Sequence, residues 1–352
     1  MEILILGGGM IGLSIAVALA KTNRQVGIID GNFPGTAAYA AAGMLAPGAE
    51  QLPAGAMRNL CQASLQKYPV WIEELEDYTG QSAGYWPCGI LVPATHQQRG
   101  NHTGIWLNRQ ELDTYQPGLN EHFIGGWWYP DNGQVDNRLL AQMLRQAAQR
   151  LGVQFFPQET VVHIAQERGK ITQVMTQAAS HLADHYVLTT GAWTHKLLSL
   201  PVHPRKGQMV ALQAPHTPGL HQVIFADAYL VPRRDGRLVI GATSEDVGFH
   251  AGVTAGGLHS LLARAIHTYP GLESWPVVET WWGYRPVTPD ELPILGPSPW
   301  ENLTLATGHY RNGILLAPIT AELICNYLNG QPWPQELDFC RWDRFSSHLE
   351  LW

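Results

Sequence analysis

The first thirty residues, MEILILGGGMIGLSIAVALAKTNRQVGIID at positions 1–30, decide the fold of this chain. The apolar residues 2–6 predict a short buried strand, and the three glycines at 7–9 predict a tight turn. The long apolar run that follows predicts a helix packed closely on the strand, and residues 25–30 predict a second strand. Strand, glycine turn, helix and strand form the opening unit of a parallel nucleotide-binding sheet.

The same segment is apolar enough to be mistaken for a signal peptide or a membrane span. A signal peptide carries basic residues ahead of its apolar run, whereas the only early charge here is Glu2. Three consecutive glycines are unusual inside a membrane span, and no other apolar stretch approaches the ~18 residues that a span needs. We therefore expect no leader, no membrane anchor and a cytoplasmic protein.

The glycine turn carries the first chemical signal, because GGGMIG at 7–12 fits the GxGxxG pattern. Gly7 allows the turn, Gly9 lets a pyrophosphate approach the backbone, and Gly12 lets the helix lie close on the strand. The free N–H groups at the helix start, near Met10 and Ile11, would hold the phosphate charge.

Asp30 ends the second predicted strand, 18 residues after the last glycine of the motif. An acid at about this spacing hydrogen bonds the 2′-hydroxyl of an adenosine ribose. The pattern therefore predicts dinucleotide binding, but it does not separate FAD from NAD.

Composition and charge exclude several classes of function. The chain has 352 residues, 45% apolar and 14% charged, and is typical of a globular protein with two domains. Its net charge of −7 argues against a broad nucleic-acid-binding surface. The four cysteines, at 61, 88, 325 and 340, have no CxxC spacing, so we expect free thiols, a reducing compartment and no metal site.

The rest of the chain interleaves predicted helices and strands. The predicted helices span residues 57–79, 111–115, 137–151 and 257–269, and the predicted strands span residues 85–94, 125–129, 153–156, 159–162, 171–176 and 183–189. Residues 201–243 alternate strands and turns. This order predicts an α/β nucleotide-binding domain interrupted by an antiparallel-sheet domain. The run of small residues at 34–47 permits close approach to a flat group, or it forms a tightly packed core helix.

Seven stretches together carry a family resemblance. They are GGGMIG at 7–12, AAAGMLAP at 40–47, TTGAW at 189–193, RKGQM at 205–209, YLVPRRDGRLVIGATSE at 229–245, GYRPVTPDELPILGP at 283–297 and GHYRNGILLAP at 308–318. The chain thereby resembles the D-amino-acid-oxidase-like FAD-dependent oxidoreductases, and most closely their glycine oxidases of the ThiO type.

The resemblance implies a Rossmann-like FAD-binding domain of the glutathione-reductase type, interleaved with an antiparallel-sheet substrate domain. It divides the chain into an FAD-binding domain (1–80, 136–200 and 284–335), a substrate-binding domain (81–135 and 201–283) and a C-terminal tail (336–352). FAD is expected to be non-covalent, because Gly283 stands where sarcosine oxidases carry the cysteine that links the flavin. The implied cofactor-binding residues are Gly7, Gly9, Met10, Ile11, Gly12, Asp30, Ala41, Ala42, Gly43, Met44, Val162, Thr190, Gly191, Trp193, His309, Tyr310, Arg311, Asn312, Gly313 and Ile314.

Three residues are implied to act on the substrate. Arg285 would hold the substrate carboxylate with a bidentate fork, and Tyr229 would hydrogen bond the same group. Arg311 would lie near the flavin and the substrate, just before a helix that we expect to begin near Gly313. The N-terminus of that helix would stabilise negative charge on the reduced flavin.

The implied reaction is oxidation of glycine and other small amines to the imine, with hydride transfer from Cα to flavin N5. The imine hydrolyses to glyoxylate and ammonia, O₂ gives hydrogen peroxide, and the imine would supply thiazole synthesis in thiamine biosynthesis. The resemblance further implies a homotetramer. Oxidation or dehydrogenation of sarcosine or small D-amino acids is the alternative, a non-catalytic flavin scaffold is less favoured, and an NAD dehydrogenase is disfavoured.

Overall fold

The computed structural model describes residues 1–97, 103–215 and 220–348. Its strands are β1 (Ile3–Leu6), β2 (Val26–Asp30), β3 (Met44–Leu45), β4 (Ile90–Ala94), β5 (Ile105–Asn108), β6 (Gly125–Tyr129), β7 (Gly133–Gln134), β8 (Gln154–Pro157), β9 (Val161–Glu167), β10 (Lys170–Thr176), β11 (Ser180–His181), β12 (His185–Leu188), β13 (His203–Gln213), β14 (Val223–Phe225), β15 (Tyr229–Pro232), β16 (Arg237–Gly241), β17 (Val277–Val287), β18 (Ile294–Pro297) and β19 (Leu303–Thr307). Its α-helices are α1 (Met10–Ala20), α2 (Ala37–Ala40), α3 (Ala56–Thr79), α4 (Arg109–Tyr115), α5 (Asn137–Arg150), α6 (Ala255–Thr268) and α7 (Ala317–Leu328). Four short 3₁₀ helices complete the elements, at Gly191–Lys196, Pro270–Ser274, Gln335–Cys340 and Trp342–His348.

A six-stranded sheet in the order β18-β19-β12-β1-β2-β8 forms the nucleotide-binding half of the molecule. All its pairs are parallel except β18 with β19 at one edge. The side chains of β1 are fully buried, as expected for a central strand covered on both faces. The predicted strand, turn, helix and second strand at the start of the chain are confirmed.

Two layers cover this sheet. On one face, Ile3 and Ile5 of β1 pack in a core with α1, α3, α5 and α7. On the other face, Leu4 and Leu6 pack against residues of the β9–β11 meander. Successive side chains of a strand point to opposite faces, so β1 contributes to both cores. Helix α5 begins at Asn137 as predicted, and Asp136 caps it, because the Asp136 carboxylate accepts hydrogen bonds from the backbone N–H groups of Arg138 and Leu139.

An eight-stranded sheet in the order β17-β13-β16-β15-β14-β4-β6-β5 forms the second half. Its pairs are antiparallel except β14 with β4. Helix α6 packs on one face, and the other face packs on alanines of the small-residue segment at 40–49. This architecture confirms the predicted fold class.

The ends of two elements bear on the sequence predictions. The predicted start of a helix near Gly313 was wrong. Residues 311–316 form turns, and α7 begins at Ala317. Pro318 stands in the first turn of α7, where its missing N–H is not needed.

The domain boundary at 284 stays a prediction, and β17 runs through it to Val287. Within the described residues, none of the helices combines the length and apolarity that crossing a bilayer requires.

Candidate active site

An elongated cavity of about 420 Å³ lies between the two sheets. It is lined by the glycine turn and Asp30 from the six-stranded sheet, and by Tyr229 and Arg285 from the eight-stranded sheet. Its volume falls within the range of small-molecule and cofactor pockets. Most of the predicted cofactor residues and all three predicted substrate residues therefore line one continuous space.

The glycine turn forms one wall of this cavity. Gly7, Gly9, Met10 and Ile11 line it, and a Cβ added at Gly9 would meet no atom within 4 Å, so the backbone there is open to a ligand. Gly12 lies behind the wall, where a Cβ would fall 2.0 Å from the Gly7 carbonyl oxygen. Gly12 thus acts through helix–strand packing, in the way the motif predicts.

Asp30 lines the cavity beside this turn, and its orientation is fixed. Its Oδ1 accepts a hydrogen bond of 3.1 Å from the backbone N–H of Asn32, and its Oδ2 pairs with the guanidinium of Arg145. Sequence reasoning missed Arg145, because its place opposite Asp30 depends on how α5 packs beside β2.

The small-residue segment forms the next part of the wall. Ala41, Ala42, Gly43 and Met44 all line the cavity. Gly43 has a positive φ of 71°, and a Cβ there would lie 1.9 Å from the Val135 carbonyl oxygen. These observations favour close approach to a flat group over the alternative of a core helix, since α2 ends at Ala40.

A buried arginine, which sequence reasoning missed, holds this segment in place. Arg233 donates hydrogen bonds to the carbonyl oxygens of Ala42 (2.9 Å) and Val135 (3.1 Å). It also bonds the side-chain oxygens of Gln134 and Asn137. Arg233 belongs to the PRRDGR stretch that carries the family resemblance, which was the available signal.

The close contact between the two halves depends on Gly283. A Cβ added there would lie 2.2 Å from the Cβ of Ala40, far inside van der Waals contact. A cysteine at this position would therefore displace the small-residue segment. The site has no thiol here for a covalent flavin link.

An aromatic wall follows the TTGAW stretch. Thr190, Gly191 and Trp193 line the cavity, and Trp193 stacks between Phe33 and Phe249 with ring centroids 4.9 and 5.2 Å away. The sequence did not single out either phenylalanine.

Besides Gly12, two predicted cofactor residues do not line the cavity. The side chain of Val162 is 50% exposed, while its neighbour Val161 lines the cavity, as the alternation of side chains in β9 dictates. Asn312 is buried behind the wall, where its carbonyl oxygen accepts from the Leu316 N–H.

The carboxylate-binding end is built on neighbouring strands. Arg285 on β17 donates a hydrogen bond of 3.2 Å to the Thr243 carbonyl oxygen, and its guanidinium lies flat against Gly207 of β13. Tyr229 on β15 reaches the same place and lies beside Gly241 of β16. Burial raises the pKa of the Tyr229 phenol, and the positive charge of Arg285 opposes that rise, while the hydroxyl itself donates to Met209 Sδ at 3.4 Å.

The turn before α7 closes the cavity. His309, Tyr310, Arg311, Gly313 and Ile314 line it. Tyr68 and Ser64 of α3 hold the turn by donating hydrogen bonds to the carbonyl oxygens of Ile314 (2.5 Å) and Leu315 (2.6 Å). Burial lowers the pKa of His309 to about 3, and its Nε2 lies 3.2 Å from the Thr320 hydroxyl.

One further acid, Glu50, lines the cavity and was not identified from the sequence. Burial raises the pKa of its carboxyl group, and Arg311 and Arg285 oppose that rise. Elsewhere in the described parts of the chain, no three His, Cys, Asp or Glu side chains converge as metal ligands.

The parallel sheet with its glycine turn, joined through one cavity to an arginine and a tyrosine, is the arrangement of a dinucleotide-dependent enzyme. The model of the family of FAD dependent oxidoreductases (DAO) matches residues 2–327. The chain belongs to this family, which confirms the resemblance and identifies FAD as the cofactor.

Relatives of the chain include proteins of the same length and longer ones. It is 49% identical over 360 residues to the bifunctional protein ThiO/ThiG of Trichormus variabilis, covering 98% of this chain and 55% of that protein. It is 36% identical to the glycine oxidase of Geobacillus kaustophilus, covering 92% of each. The crystal structure of glycine oxidase from Geobacillus kaustophilus superimposes with a TM-score of 0.91 at 34% identity, covering 97% of this chain and 98% of that one. The chain thus spans about half the length of the bifunctional relative.

Proposed function

We propose that this protein oxidises glycine to its imine, which hydrolyses to glyoxylate and ammonia, with O₂ reduced to hydrogen peroxide. The observation that carries the proposal is the meeting of Arg285 and Tyr229 at one end of the FAD cavity. A small amino acid is recognised by its carboxylate, and these two side chains supply donors suited to that group.

The substrate carboxylate would bind Arg285 through two parallel charge-assisted hydrogen bonds, each contributing about 1.5–3 kcal/mol. Tyr229 would donate a further hydrogen bond. The Thr243 carbonyl and the flat contact with Gly207 hold the guanidinium in one orientation before substrate binds. This preorganisation directs the substrate Cα toward the cofactor.

The residues of the cavity fit FAD. Asp30 and the open backbone at Gly9 suit the adenosine ribose and the pyrophosphate, and the Ala41–Met44 wall admits a flat ring. Bound FAD would supply the acceptor of the hydride that leaves the substrate Cα. His309 remains neutral and hydrogen bonded to Thr320, so it supports the wall and takes no part in proton transfer.

The biological setting is also part of the proposal. The bifunctional relatives support a role in supplying the imine for thiazole synthesis. We propose a cytoplasmic homotetramer, and the four free cysteines suit a reducing compartment.

The test is an anaerobic titration of the FAD-loaded protein with glycine, followed by admission of air. Loss of the flavin absorbance, then peroxide and ammonia, is the expected result. Arg285→Met should keep FAD but require far more glycine, whereas Arg168→Met, which alters a 91% exposed side chain, should behave as wild type. Faster bleaching by sarcosine or D-alanine would assign one of those substrates instead. An absorbance that no amine changes would refute amine oxidation and favour a scaffold.

A further inference from the structure

Glu50 occupies a turn that is held by a hydrogen bond within it and by contacts with the segment around Tyr129 and Asn132. Its backbone N–H donates to the Ala46 carbonyl oxygen (3.0 Å), and the Ala49 N–H donates to Asn132 Oδ1 (3.2 Å). Gly48 of this turn lies against the ring of Tyr129, where a Cβ would fall 2.8 Å from Cδ1. The backbone that carries Glu50 is therefore held in place beside the cavity.

The carboxyl group of Glu50 faces the substrate end of the cavity. Arg311, Arg285, Tyr229 and Cys61 are the charged and titratable groups that interact with it among the described residues. In the described parts of the chain, its oxygens make no side-chain hydrogen bond and no ion pair. A partly buried acid without such a partner has unused capacity to accept hydrogen bonds.

The other two acids that line the cavity in the described residues already have partners. Asp30 pairs with Arg145, and Glu159 lies 2.7 Å from the His181 Nε2. Both belong to the nucleotide-binding half of the molecule. Glu50 is thus the acid that a ligand held by Arg285 would meet.

We propose that Glu50 is a catalytic residue that binds the substrate's amino group and accepts its proton. This inference rests on the proposed function. With the glycine carboxylate on Arg285 and one Cα–H directed at the cofactor, the amine is the remaining polar group of the substrate. It needs an acceptor in this part of the cavity, because a buried ammonium without one is costly.

The proton transfer prepares the substrate for oxidation. One N–H bond of the ammonium breaks, an O–H bond forms on the Glu50 carboxylate, and the electron pair stays on nitrogen as a neutral amine. The two neighbouring guanidiniums disfavour the ammonium form but also lower the proton affinity of the Glu50 carboxylate, so the transfer depends on the burial of Glu50. Burial raises the pKa of Glu50, so its carboxylate is a stronger base than an exposed glutamate. The nitrogen lone pair can then stabilise the positive charge that develops as hydride leaves Cα.

The experiment compares wild type with Glu50→Gln, which keeps the shape and removes the base. Anaerobic flavin bleaching by glycine is followed from pH 6 to 10, and acetate, a carboxylate without an amine, is titrated by its effect on the flavin spectrum. Glu74→Gln on the exposed part of α3 is the matched control for the loss of one negative charge.

We expect Glu50→Gln to lower the bleaching rate near neutral pH about 100-fold, the size of a typical general-base effect. The loss should shrink as pH rises, because glycine then arrives as the neutral amine. Acetate should bind as tightly as in wild type or tighter, since a negative charge beside two arginines has gone. Unchanged glycine kinetics, or acetate binding weakened as much as glycine, would overturn the assignment. Failure of wild type itself to react with any amine would instead refute the proposed function.

Discussion

Gly207→Ala tests whether Arg285 must lie where the structure places it. A Cβ at position 207 would fall 2.6 Å from Nη1 and 2.7 Å from Nη2 of Arg285. Uncrowded contacts between such atoms begin near ~3.5 Å, so the guanidinium must move by about 0.8–1 Å. A misplacement of ~1 Å at a positioning group costs about 100-fold in rate. We therefore expect kcat/KM for glycine to fall by about that factor.

The assay measures peroxide production against glycine concentration, together with FAD content and the melting temperature. FAD content should stay at the wild-type level, because Arg285 lies at the substrate end of the cavity. Gly256→Ala on α6 is the matched control: its Cβ would meet no atom within 4 Å, so activity should be unchanged. That helix should gain about 0.5–1 kcal/mol of stability. Wild-type kcat/KM in Gly207→Ala would refute the carboxylate role of Arg285.

Three further predictions concern cofactor and stability. Asp30→Ala should weaken FAD binding about 10–150-fold by removing a charged hydrogen bond of ~1.5–3 kcal/mol, measured by fluorescence titration of the apoprotein, and an unchanged affinity would contradict the ribose contact. Gly283→Cys should lower FAD content without forming a covalent adduct, because its Cβ collides with Ala40; full FAD loading would contradict the packing requirement at this contact. The folded pKa of His309, about 3, lies below the ordinary 6.5, so the unfolded chain binds more protons between these values. The free energy of unfolding should therefore fall as pH drops below 6.5, by up to ~1.4 kcal/mol per pH unit, with a smaller slope in His309→Asn when measured by urea denaturation.

The parts of the site that are local in sequence were predictable. The glycine turn, the helix start and Asp30 lie within one strand–helix–strand unit, whose geometry is set by spacing along the chain. Arg285 was identified through its motif. Its neighbour Gly207 lay in a quoted stretch, but its part in seating the guanidinium depends on the pairing of β13 with β17.

The contacts that the sequence missed all join distant segments. Arg145 reaches Asp30 from α5, Arg233 reaches Ala42 from the turn after β15, and Glu50 meets Arg311 across the cavity. The start of α7 was misplaced for a related reason, because α3 captures the carbonyl groups of the preceding turn.

The assignment of FAD followed from the family resemblance. The sequence by itself determined the class of fold, the dinucleotide-binding pattern and the residues that follow a local motif. Those features depend on backbone periodicity and glycine spacing, which act over a few residues. The tertiary structure alone decided which charges share the cavity, because that depends on how the two sheets pack. Burial then raises the pKa values of Glu50 and Tyr229 and lowers that of His309, since the cost of removing a charge from water is fixed only when the surrounding segments are in place.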